Sequence, residues 1–255
     1  MYLRHRIIPC LLLENKGLVK TIKFSKPRYI GDPINTVKIF NGKFVDELCI
    51  LDIKASVENR EPDFDLLKEI ASEAFMPLSY GGGINSLEQI KKLLFIGYEK
   101  VIINSAFVRN PDLVKEAIEF AGSQSVVISL DYKKDFKGKK YCYILSGKKK
   151  VKFSPFLLAR KAQEMGVGEI ILNSIDKDGT MEGYDYDQVK EITDNLSIPL
   201  IACGGAGTLK DMKKVIKESG AHAAAAGSYF IYYGKQKAVL ITYPKEEALS
   251  ELGIY

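Results

Sequence analysis

Residues 77–107 read PLSYGGGINSLEQIKKLLFIGYEKVIINSAF, and residues 199–230 read PLIACGGAGTLKDMKKVIKESGAHAAAAGSYF. Pro77 aligns with Pro199, Gly82-Gly83 with Gly204-Gly205, Leu87 with Leu209 and, after one inserted residue, Ser105 with Ser228. Each copy has a short apolar run, a glycine turn, an amphipathic stretch and a second apolar run ending in a small polar residue. That order is a βαβ unit, present twice. Ser86–Leu94 places Leu87, Ile90, Lys91 and Leu94 at i, i+3, i+4 and i+7, behind a serine suited to cap a helix. Thr208–Ile216 repeats the plan.

The repeat extends outward from this pair. Val45–Leu51 matches Val167–Asn173, 122 residues on, and Ile7–Leu12 matches Val126–Asp131, 119 residues on. Apolar runs fall at Ile7–Leu13, Leu48–Ile53, Pro77–Tyr80, Val101–Ile103, Val126–Leu130, Ile170–Leu172, Pro199–Ala202 and Ala223–Ala226. Strands this continuously apolar are buried on both faces, as in parallel sheets. Asp112–Phe120 and Pro155–Met165 read as further helices. Eight βα units in 255 residues predict a single (β/α)8 TIM barrel over residues 1–255, of α/β class, built from two half-barrel repeats. An open doubly wound sheet is the alternative, but it leaves the two-fold repeat unexplained.

Composition narrows the function classes. The N-terminal apolar run stops at Glu14, too short for a signal peptide or a membrane span, so a cytoplasmic protein is expected. Four cysteines (Cys10, Cys49, Cys142, Cys203) lack metal-ligand spacing and read as reduced core residues. With only His5 and His222 beside them, no metal site is expected, and nothing calls for a cofactor. Much of the net charge of +5 sits in residues 132–152, a lysine-rich stretch turning at Lys137-Gly138. It reads as a solvent-exposed hairpin inserted after the fifth strand. Its tyrosines raise the question of nucleic-acid binding, but no other such signature is present.

Barrel enzymes place their chemistry at the C-terminal ends of strands. There the chain carries Asp52, Gly82, Gly83, Asn104, Ser105, Asp131, Asn173, Asp178, Gly179, Gly204, Gly205, Gly227 and Ser228. Glycine turns let backbone N–H groups approach phosphate oxygens. Two symmetric clusters predict a ligand with a phosphate at each end. Asp131 is a candidate general acid or base. Its half-barrel mate, 119 residues earlier, is Leu12, so a possible carboxylate pair is reduced to one. At the opposite ends, Arg6, Glu47, Lys100 and Glu169 each precede an apolar run and could close a salt-bridge ring or remain solvated charges.

Together these residues resemble the HisF family, the cyclase subunit of imidazole glycerol phosphate synthase. The carriers are RIIPCL (6–11), DEL..LDI.AS (46–56), GGGI (81–84), KVIINSA (100–106), GSQSVV.SLD (122–131), GEI.L.SID.DGT (168–180), GYD (183–185) and ACGGAG (202–207). The resemblance implies a HisH-like glutaminase on the N-terminal barrel face and ammonia passing a gate at Arg6, Glu47, Lys100 and Glu169. It also implies a phosphorylated small-molecule ligand at the glycine clusters with Lys20, and a catalytic acid at Asp131. The departures are Leu12, where that family uses an Asp in proton transfer, and Asn15, where an Asp is usual. RIIPCLLL, GLVKT, PRYIGDP, EPDFDLL, FMPLSYGGG and AVLITYP resemble a HisF-like branch of surface-polysaccharide pathways, the acetamidino-modification proteins. That branch implies a sugar amidotransferase as a further partner, and ammonia delivered to a nucleotide-sugar. The alternatives are a true cyclase, a non-catalytic glutaminase activator and an Amadori-type isomerase, the last disfavoured by Leu12.

Overall fold

The computed structural model describes residues 5–255. Eight strands close a parallel barrel: β1 (Arg6–Glu14), β2 (Leu48–Asp52), β3 (Leu78–Gly81), β4 (Lys100–Ile103), β5 (Val126–Lys134), β6 (Glu169–Ser174), β7 (Leu200–Cys203) and β8 (Ala223–Ala226). Each pairs with the next, and β8 returns to β1 through the Arg6–Ala223 to Pro9–Ala226 register. The predicted TIM barrel is therefore the observed fold. Helices α1 (Pro33–Asn41), α2 (Phe64–Ser72), α3 (Leu87–Phe95), α4 (Ser105–Arg109), α5 (Asp112–Ala121), α6 (Pro155–Glu164), α7 (Tyr186–Thr193), α8 (Leu209–Lys217), α9 (Ser228–Ile231) and α10 (Glu246–Glu251) follow in chain order.

Alternation along each strand divides the core in two. Ile7, Leu11 and Leu13 of β1 point outward and pack against the helices. Ile8, Cys10 and Leu12 point inward, with Cys49, Ile102, Val127, Ile171 and Ile201 from other strands. The strands are apolar on both faces because each has a buried face on either side. Helix starts follow the local chemistry. Ser86 accepts from the Gln89 N–H at α3, and Thr208 forms a full capping box with Asp211 at α8.

The register makes the half-barrel repeat a physical one. Leu12 pairs with Leu51 across β1 and β2, while Asp131 pairs with Asn173 across β5 and β6. These are equivalent places in the two halves. Both halves also carry an antiparallel extension over the C-terminal mouth. The second is the basic stretch, where Lys140–Ile144 pairs with the extended end of β5. It is not wholly solvent-exposed: Tyr132, Cys142, Tyr143 and Ile144 are buried, while its tip and Lys148–Lys150 are open. The first was not anticipated. Gly17–Ile22 folds back on β1, and Ser25–Gly31 pairs with it. Its outer strand is polar and exposed, so no apolar run announces it.

Candidate functional site

The C-terminal mouth holds a cavity that every strand-end residue named from the sequence lines. The first glycine cluster, with Asn104 and Ser105, faces it from β3 and β4. The second, with Gly227 and Ser228, faces it from β7 and β8. Gly82 requires its left-handed φ of 124°, and a Cβ there would meet the Asp52 carbonyl oxygen at 2.5 Å. A Cβ at Gly227 would lie 2.0 Å from the Lys20 ammonium, so the Lys20 side chain packs directly over this turn. Lys20 is 5% exposed, and no carboxylate among the described residues pairs with it. A buried unpaired cation is costly. Here it lines an open cavity beside glycine turns, an arrangement suited to an anion.

Three acidic residues have structural duties. Asp52 accepts from the Lys54 and Ala55 amides, both at 2.9 Å, and pairs with Arg60 at 3.1 Å. Asp178 accepts from the Thr21 hydroxyl at 2.8 Å and the Phe24 amide at 3.3 Å, clipping the first extension over the mouth. Burial raises the Asp178 pKa, while the nearby Lys20 charge opposes the rise. Asp185 holds the second extension in the same way, through Lys140 at 2.8 Å and the Tyr132 hydroxyl at 3.1 Å.

Asp131 is buried at the cavity floor. Its Oδ1 accepts from Ser129 at 3.2 Å and its Oδ2 from Asn104 at 3.3 Å. Burial pushes its pKa up to about 7, hydrogen bonds from Ser129 and Asn173 oppose that rise, and Asp178 and Cys10 add to it. A carboxyl titrating near neutrality can both give and take a proton. Opposite it stand Leu12, Leu51 and Ile53, an apolar wall. The cavity thus has one acid–base side and one inert side.

The sequence reading did not single out several neighbours. Ser129 lies two residues before Asp131, so strand alternation puts it on the same face. Ser56 accepts from the Gly83 amide at 3.1 Å. Cys10 and Cys203 line the cavity rather than only filling the core. The Cys10 and Cys49 sulfurs lie 3.8 Å apart, and hydrogen bonds from Cys203 and Cys49 hold the Cys10 thiol below its ordinary range.

At the other end of the barrel, Arg6, Glu47, Lys100 and Glu169 meet in a closed ring. Arg6 pairs with both glutamates, and Lys100 reaches Glu47 at 2.9 Å and Glu169 at 3.1 Å. Burial alone would lower the Arg6 pKa, but Glu169 and Glu47 reverse this and raise it. Among the described residues no cluster of three or more His, Cys, Asp or Glu could hold a metal, and no helix is long and apolar enough to cross a membrane.

A (β/α)8 barrel of two half-barrel repeats, with a two-sided glycine-lined cavity at one end and a charged ring at the other, defines a class of ligand-binding barrel. Known proteins of this class can be matched directly. The model of the histidine biosynthesis protein family covers residues 6–237. A Leptospira interrogans protein with the provisional name imidazole glycerol phosphate synthase subunit HisF is 49% identical over 246 residues, covering 96% of this chain and 97% of the relative. The imidazole glycerol phosphate synthase subunit HisF of Petrotoga mobilis is 42% identical over 231 residues, covering 90% and 91%. The chain belongs to the histidine biosynthesis protein family and, within it, is HisF-like.

Proposed function

We propose that the chain is the ammonia-receiving subunit of a glutamine amidotransferase complex whose acceptor is a nucleotide-activated sugar of surface-polysaccharide synthesis. A HisH-like glutaminase docks on the N-terminal end. Ammonia enters through the ring of Arg6, Glu47, Lys100 and Glu169, which opens by parting one of its ion pairs. It then crosses an interior lined by Ile8, Ile102, Val127, Ile171 and Ile201. Neutral ammonia passes such a lining cheaply, whereas an ammonium ion pays a large desolvation cost. The acceptor lies at the C-terminal mouth, its anionic groups held by the glycine turns and Lys20, and a sugar amidotransferase is the third partner.

The observation carrying this reading is the Leu12–Leu51 pair standing where the other half has Asp131 and Asn173. A cyclisation that divides acid and base work between two carboxylates has only one here. Loss of such a group costs on the order of 10²–10⁴-fold in rate. The exposed aromatics support a partner on the ring end. Phe44, Phe75 and Phe95 lie in or beside the loops that lead into β2, β3 and β4, and all three are almost fully exposed.

The test is the purified chain with its glutaminase, assayed for two products. The proposal expects glutamine-derived nitrogen in place of the acetamido oxygen when the amidotransferase, a nucleotide-activated acetamido sugar and a nucleoside triphosphate to activate that oxygen as a leaving group are added. It expects little imidazole product from the synthase substrate with ammonia. Full cyclase turnover, abolished by Asp131→Asn, would overturn it in favour of a true cyclase.

A further inference from the structure

Charge is distributed unevenly along this chain. Residues 15–31 carry five basic and no acidic side chains, and residues 132–152 carry nine lysines and one aspartate. These stretches form the two extensions over the C-terminal mouth, with net charges of +5 and +8. The whole chain stands at +5, so all the other residues together stand at −8. An excess of positive charge thus overhangs one end of a barrel whose body is acidic.

The two extensions form one surface. A Cβ on Gly147 of the second would lie 3.1 Å from the Phe24 ring of the first, so their turns touch across the mouth. Carboxylates beside them are already paired: Asp135 with Lys150 at 3.6 Å, Asp185 with Lys140 at 2.8 Å and Asp63 with Lys16 at 3.3 Å. Lys134, Lys137, Lys139, Lys148, Lys149 and Lys152 are exposed and pair with no carboxylate among the described residues. On the first extension the same holds for Lys23, Lys26 and Arg28.

The cavity uses little of this charge. Of the basic side chains on the extensions, only Lys20 and Lys148 line it. A small anion held there leaves the outer lysines unmatched. Two exposed rings stand among them: Phe136, 92% exposed near the tip of the second extension, and Tyr29, 67% exposed on the outer strand of the first. Neither ring lines the cavity. Aromatic anchors set within a charged rim are the anatomy of a protein–protein interface. The occupant also covers the opening at which nitrogen and acceptor meet, which is where the proposed function requires the enzyme that handles the acceptor.

We propose that the two extensions are the docking surface of the sugar amidotransferase, which meets them with an acidic face and takes Phe136 into an apolar pocket. The inference rests on the acceptor reading above and adds where the third partner binds. Rim charges act chiefly on the rate of encounter, and a buried ring acts on the rate of escape. The glutaminase and the amidotransferase then sit at opposite ends of the barrel, with its axis between them.

The test uses the full chain with its glutaminase, and follows binding of the purified amidotransferase by surface plasmon resonance at about 50 and about 300 mM potassium chloride, a range over which screening becomes strong. Association should slow roughly tenfold or more across that range. Lys137→Glu with Lys139→Glu should slow association on the order of tenfold at low salt and flatten its salt dependence. Phe136→Ser should leave association nearly unchanged and speed dissociation roughly tenfold. Lys68→Glu with Lys213→Glu makes the same charge change at exposed sites on α2 and α8 and should do neither. All these variants should keep the wild-type unfolding midpoint, and excess amidotransferase should restore nitrogen transfer to the tip variants. Unaltered binding in both tip variants, with wild-type nitrogen transfer intact, would overturn the docking surface and leave the acceptor reading standing. Equal slowing in the Lys68–Lys213 control would reduce the effect to net charge and also overturn it. Tip-dependent binding to vesicles of phosphatidylglycerol and phosphatidylcholine, with amidotransferase binding unaltered, would give the surface to a membrane instead. Absence of both wild-type binding and nitrogen transfer would be a failure of the acceptor reading itself, and the inference would fall with it.

Discussion

The two half-barrels share a backbone plan and differ in what they place on it. At the cavity floor the first half pairs Leu12 with Leu51, and the second pairs Asp131 with Asn173. One layer deeper the first half has Cys10, where the second has the Ser129 hydroxyl bonded to Asp131. At the ring end the contrast runs the same way. Phe44, Phe75 and Phe95 of the first half correspond, 122 residues on, to Gly166, Ser197 and Lys217. The first half thus carries the apolar floor rung and the exposed aromatics, and the second carries Asp131. Duplication supplied two equal scaffolds; side-chain choice gave one the exposed aromatics and the other the buried carboxyl.

Copying the second half's floor into the first is the strongest way to break this contrast. Leu12→Asp with Leu51→Asn recreates the Asp–Asn pair opposite Asp131. Ammonia-dependent turnover of the imidazole glycerol phosphate synthase substrate should rise on the order of 10²–10⁴-fold, read from product formation. Leu12→Asp alone should fold less stably than the double variant, since Leu51 offers its buried carboxylate no hydrogen bond.

The carboxyl that only one half possesses also makes stability depend on pH. Burial raises Asp131 from 3.8 to about 7 in the folded chain. Between those values the native state holds a proton that the unfolded chain has released. The stabilisation is therefore full below about pH 4 and is lost as pH rises through about 7. Asp131→Asn should flatten urea-unfolding stability over this window. The gap between variant and wild type should move by on the order of 3–4 kcal/mol in the variant's favour from pH 4 to pH 8.

Grafting the other way tests the ring end. Phe44→Gly, Phe75→Ser and Phe95→Lys together give the first half the second's surface. Glutaminase affinity should fall roughly 30–100-fold by titration calorimetry, the scale of two aromatic anchors. The unfolding midpoint should hardly move, because these rings are already in water. Helix starts give the smallest contrast. Thr208→Ala, which dismantles a capping box, should cost about 1–2 kcal/mol, and Ser86→Ala, which removes a single cap, about 0.5–1 kcal/mol.

Much of this comparison was legible without coordinates. The eight apolar runs fell on the eight barrel strands because a strand buried on both faces cannot hide polar residues. The 119-residue offset set Leu12 against Asp131 because duplicated strands share register, and the observed pairing puts both in equivalent rungs. The caps at Ser86 and Thr208 were readable because a capping hydroxyl acts on its own neighbours. The first extension was not readable: Ser25–Gly31 is an exposed outer strand whose partners come from register rather than from apolar burial. Asp52 and Asp178 read as ligand residues from their strand-end positions. Their satisfied hydrogen bonds to loop amides, and Asp178's to Thr21, emerged only in three dimensions.

The sequence by itself determined the barrel, its two-fold plan and the missing second carboxylate, because these follow from periodicity and spacing along the chain. The tertiary structure decided which polar groups are satisfied. It closed Arg6, Glu47, Lys100 and Glu169 into one ring across four strands. It buried Asp131 deeply enough to titrate near neutrality and left Asn173 Oδ1 without a donor. Burial and hydrogen-bond partnership join residues far apart in the chain, so no local pattern encodes them.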